Sequence, residues 1–81
     1  MDPDAAFSLM LASFAEDEFL IASDAAQAVL NWLRAGGYPP TVHVAGGGQL
    51  LELSHEQSNR AVAIAVANEV LSKSNQALTS Q

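Results

Sequence analysis

The sequence predicts a small α+β domain ordered helix, helix, β-hairpin, helix. Three observations lead there. Residues 36–54 hold all five glycines and two of the three prolines, so no helix crosses them. The same stretch contains two short strand-like runs, Val42–Val44 and Leu50–Leu53, separated by Gly46-Gly47-Gly48. On either side, apolar residues recur at the spacing of a helix face. The alternative that fits these signals is a three-helix bundle with the Gly/Pro-rich stretch as an ordered loop.

Asp2-Pro3 marks the first helix: Asp caps free amides and Pro suits the first helical position. Asp4 then complements the positive end of the helix dipole. Phe7, Met10, Leu11, Phe14 and Ile21 form a stripe, broadened by Phe19 and Leu20, so this helix is expected over about residues 3–20. Ser23 followed by Asp24 is the next N-cap signal. Ala25, Val29, Trp32 and Leu33 share a face, Arg34 falls in the last turn, and Gly36-Gly37 stop the helix. The second helix is expected over about 24–35.

Thr41-Val42-His43-Val44 alternates and is β-branched. Strands are expected over about 41–45 and 50–53. Their register follows from opposed residues sharing a face. A loop at 46–48 would set Val42 against Glu52 and His43 against Leu51, mixing polar with apolar. A loop at 46–49 sets Val42 against Leu53, Val44 against Leu51 and His43 against Glu52. That register gives one apolar face, expected to pack on the first and third helices, and one polar face. Ser54-His55-Glu56-Gln57 matches a capping box. A third helix is expected over about 55–73, burying Val62, Val66 and Val70 on one side and Ile64 and Leu71 on another, with 74–81 as a polar, fraying tail.

Composition narrows the function classes. The 81 residues leave room for a single domain, 1–81, whose core is marginal without reinforcement. No cysteine is present, which removes disulfides and thiolate metal sites. The apolar share of 49% speaks against disorder and allows self-association. The longest apolar run, Ala61–Ala67, is far short of the ~20 residues of a membrane span, and Met-Asp-Pro-Asp lacks the basic region of a secretory signal. A cytoplasmic protein is the resulting expectation. The net charge of −6 resides in Asp2, Asp4, Glu16, Asp17, Glu18 and Asp24, because Arg34, Arg60 and Lys73 balance Glu52, Glu56 and Glu69. Three scattered cations cannot neutralise a phosphate backbone or an anionic lipid surface, so neither nucleic acid nor membrane is expected as a partner.

The chemical motifs are sparse. His55-Glu56-Gln57-Ser58-Asn59 begins like a zinc-protease motif but ends in Asn where the second imidazole is required. Gly46-Gly47-Gly48 precedes strand-like sequence, not the helix N-terminus of a phosphate loop. Glu16-Asp17-Glu18 lacks the spaced oxygen ligands and glycine of a calcium loop. Neither Ser23 nor Ser54 stands in the Asp-Ser-Leu setting of a phosphopantetheine attachment serine. Ser54 beside His55 is better explained by capping than by nucleophilic catalysis.

No catalytic constellation and no cofactor site emerge. The expected function is a small, acidic, non-enzymatic protein-interaction module that self-associates, as a homodimer or with another protein. Association is expected through the third helix or through the hairpin's edges; the interface candidates are Tyr38, Ala61, Ala65 and Val66, the small side chains on the third helix letting another helix approach. The alternative is a small-molecule or metal-binding domain using His43, Glu52 and His55.

Overall fold

In a computed structural model, residues 1–80 are described. They form α1 (Pro3–Ala15), α2 (Phe19–Arg34), β1 (His43–Gly46), β2 (Gln49–Glu52) and α3 (Glu56–Thr79). Two helices, a two-stranded antiparallel hairpin and a long helix make an α+β domain, as the residue pattern predicts.

Asp2 caps α1 as expected, its carboxylate accepting from the amides of Asp4 and Ala5. The helix stops at Ala15, however, short of the expected residue 20. Asp17 takes a left-handed φ of 60°. The Glu18 amide reaches the Ser13 carbonyl and the Asp17 amide reaches the Phe14 carbonyl. That pair of bonds is a Schellman end, usually built on Gly; Asp is among the few other residues that tolerate the left-handed region. The apolar stripe runs on because Phe14 and Phe19 meet across the turn, edge to face with centroids 6.0 Å apart.

α2 therefore starts at Phe19, and Ser23 lies within it rather than capping it. The Ser23 hydroxyl instead donates to Asn75 Oδ1 at 3.0 Å. A second Schellman end closes α2: Gly36 has φ +89°, its amide bonds the Leu33 carbonyl, and the Gly37 amide bonds the Trp32 carbonyl. A Cβ on Gly37 would collide with the Trp32 indole, whose Nε1 donates to the Tyr38 carbonyl at 2.8 Å. Glycine is thus required here for close approach.

α3 is longer than expected. It continues from Glu56 through Thr79, about 36 Å at 1.5 Å per residue. Its polar end does not fray at residue 73, because Ser74 is fully buried and Asn75 is held by Ser23. Of the tail expected over 74–81, Gln81 lies outside the described residues. The capping box is not formed: His55 is the N-cap and makes no side-chain cap bond. With His55 at that position the third helical residue is Ser58, so Gln57 is one place too early to reach back.

The core lies between the helices. Met10 of α1, Ala22, Ala26 and Leu30 of α2, and Ala63 and Ala67 of α3 are inaccessible to solvent. Alanines on both α2 and α3 let those two helices pack closely, and α3 rests mainly on α2.

The hairpin pairs His43 with Glu52, Val44 with Leu51, Ala45 with Leu50 and Gly46 with Gln49. The expected register is therefore present, with the ladder one pair longer and the turn reduced to Gly47-Gly48. Both glycines have positive φ, +56° and +80°, as a type I′ turn demands. The expected packing of the whole apolar face is not present. Val42 is buried and Leu53 partly so, but every residue of β1 and β2 is exposed and neither strand contacts a helix. The strands extend beyond the point where the helical layer ends.

Asn59, buried in the first turns of α3, holds the base of this hairpin. Its Oδ1 accepts from the Val42 amide at 2.8 Å, and its Nδ2 donates to the carbonyls of Leu53 at 2.9 Å and His55 at 3.2 Å. Leu53 and Val42 are also joined directly, amide to carbonyl, at 3.0 Å. Truncating Asn59 leaves a buried donor and acceptor without partners, each costing about 1–3 kcal/mol. Asn59→Ala should lower stability by about 3 kcal/mol and the melting temperature by roughly 15 °C, measured by urea and thermal unfolding. A loss under about 1 kcal/mol would show that the bridge does not hold the hairpin.

Candidate functional site: the projecting hairpin and its anchor

Three local devices position the hairpin. Pro39 and Pro40, both buried, bring the chain rigidly off α2. The Thr41 amide donates to Asp4 Oδ1 at 2.7 Å, so an acid that reads as a dipole partner also fastens the link to α1. Arg60, next to Asn59, donates to the carbonyls of Leu33 and Gly37 at 2.9 Å each and pairs with Glu56 at 3.5 Å. Its guanidinium thereby covers the negative end of α2 and the orphan carbonyls there.

Beyond this anchor the strands present two faces. One carries Val44 and Leu51, the other His43, Ala45, Leu50 and Glu52, by the alternation of paired residues. Val44 is 43% exposed, Leu51 54%, Leu50 72% and nearby Tyr38 69%. A hairpin with neither a third strand nor a helix against it is marginal by itself in water, so this is the part of the molecule that most lacks cover.

The other candidates are distributed differently. His43 and Glu52 do meet, Nε2 to Oε2 at 3.9 Å, but both are more than half exposed. His55 is exposed at the N-terminus of α3. Among the described residues no group of three His, Cys, Asp or Glu side chains could hold a metal ion. Ala61 and Ala65 face solvent on α3, whereas Val66 is half-buried and packs on the core. Tyr38, Pro39, Glu52, Leu53 and Asn59 line a cleft of about 240 Å³ at the hairpin base, smaller than the ~300 Å³ at which small-molecule sites begin. A groove of about 450 Å³ near the end of α3 is lined by Ser72, Asn75, Gln76, Thr79 and Ser80. Five side chains from one helix surface give it no opposing wall. No helix among the described residues is long and apolar enough to cross a membrane.

In comparisons with family models, with curated proteins and with solved structures, nothing matches the chain.

Asn59 and Arg60 are the residues that sequence reasoning missed. The available signal was an Asn early in an otherwise Ala- and Val-rich helix, where its propensity is poor and a specific hydrogen-bonding role is the usual reason. For the metal reading, adding zinc while following the ring resonances of His43 and His55 should move neither in concert with the other. A joint shift of both rings at one zinc equivalent would establish a shared site.

Proposed function

We propose that this protein is a non-enzymatic interaction module that associates with a second copy of itself through the hairpin. The observation that supports this most is the projection of β1 and β2 clear of the helices, with Val44, Leu50 and Leu51 in solvent. Val44 and Leu51 share one face of the hairpin, and exposed apolar groups that share a face on a small domain are characteristic of partner surfaces. The charge distribution supports a copy of the chain as partner. The excess of acids precedes residue 25, while the strands hold only His43 and Glu52, so two hairpins approach without strong repulsion. The outward side of α3 is a poorer choice, because Ala61 and Ala65 offer little area and Val66 is committed to the core.

Sedimentation tests this directly. The weight-average mass should rise from the 8.5 kDa monomer towards a dimer between about 5 and 500 μM, the range expected of an interface smaller than about 1,200 Å². The double substitution Val44→Thr and Leu51→Thr should weaken the dimer at least about tenfold, equivalent to about 1.4 kcal/mol, and leave the unfolding of dilute protein nearly unchanged. A monomer at every concentration would refute self-association.

A further inference from the structure

Resting on that reading, we infer how the copies join: edge to edge along β1, antiparallel, about a twofold axis beside Val44. Val42, Val44 and Gly46 form the hydrogen-bonded pairs with Leu53, Leu51 and Gln49, as the Leu53 amide to Val42 carbonyl bond fixes the phase. In an antiparallel ladder the intervening residues aim their amides and carbonyls the other way. His43 and Ala45 of β1, and Leu50 and Glu52 of β2, therefore carry the free edges.

The two edges are not equivalent. Reversed upon itself about Val44, the segment Val42-His43-Val44-Ala45-Gly46 sets Val42 against Gly46, His43 against Ala45 and Val44 against Val44. Away from the axis each large side chain meets a small one, Val42 against Gly46 and His43 against Ala45, and on the axis the two Val44 side chains meet each other. Gly46 matters most, because Val42 is where the partner's helical core begins, and a residue without a Cβ can lie beside it. The Val44 and Leu51 faces of the copies then join into one row across four strands, and His43 and Ala45 exchange their free backbone hydrogen bonds. The same operation on β2, about Leu51, sets Gln49 against Leu53 and Leu50 against Glu52, large against large, with a carboxylate pressed on an apolar side chain. A charged side chain on an edge is a known guard against pairing; β2 has Glu52, and β1 has no Asp, Glu, Lys or Arg. A twofold closes after two copies, whereas β1 on β2 would extend without limit.

Single cysteines read the arrangement, since the chain has none of its own. Across the axis, facing Cα atoms at position 44 lie about 4.5 Å apart, within disulfide range. Those at position 51 are separated by three strand spacings, about 14 Å, and cannot bridge. Under mild oxidation at a concentration where sedimentation gives dimer, Val44→Cys should cross-link at least about tenfold faster than Leu51→Cys. Adding Ala45→Pro to Val44→Cys removes an outward amide on an edge where Pro is otherwise tolerated, and should abolish the rate advantage with the helical spectrum unchanged. Equal rates for Val44→Cys and Leu51→Cys, or a faster Leu51→Cys, overturn the β1 edge while self-association stands. Species larger than dimers overturn the twofold. A chain that stays monomeric overturns both this arrangement and the function it rests on.

Discussion

One side-chain amide bridges both strands at the base of the hairpin to α3. Asn59 presents an acceptor to Val42 and a donor to Leu53, taking the place of the next peptide group in the ladder. The strands thereby end on α3 instead of in solvent, and a burial cost for two polar backbone groups is removed at the one point where the hairpin meets the core. The rest follows from this position. Asn59 can reach the hairpin only because α3 lies close along α2, and that closeness depends on the small side chains Ala22, Ala26, Ala63 and Ala67 at the core. Arg60, one residue on, ties the same turn of α3 to the end of α2.

The arrangement separates the parts that hold the fold together from the projecting strands. Stability resides in the helical layer and in the polar clamp formed by Asn59, Arg60 and Asp4, which also binds Thr41. The strands beyond Val42 and Leu53 contribute little to it, since they touch no helix. They are free to carry a surface that suits a partner. In the proposed self-association, Gly46 is the residue of β1 that would lie beside the partner's Val42, where its core begins.

Much of this was legible in the residues, and the failures have definite causes. Helix order and hairpin register were legible because periodicity and face matching are local: opposing Val44 to Leu51 and His43 to Glu52 required no knowledge of the helices. The break at Asp17 was not, because a left-handed Asp leaves no composition signal comparable to Gly36, and Phe19 to Ile21 continue the apolar stripe across it. The reach of α3 past residue 73 rests on the burial of Ser74 and on Asn75 meeting Ser23 of α2, tertiary features that polarity alone disguises. Pairing also predicts which side chains share a face, but not whether anything lies against that face. Val44 and Leu51 were therefore expected inside and stand outside. Of the interface candidates, Val66 is half-buried against the core, while Tyr38, Ala61 and Ala65 are exposed.

Amide hydrogen exchange on dilute, monomeric protein tests the dependence on Asn59 most directly. The Val42 amide, bonded to Asn59, should exchange as slowly as the amides of Ala63 and Ala67 in α3. The amides of Val44 and Leu51, bonded only within the hairpin, should exchange at least about a hundredfold faster through local opening. If Val42 exchanges as fast as Val44, the bridge does not anchor the hairpin; if Val44 is as slow as Ala67, the strands are held by the helices directly and do not depend on Asn59.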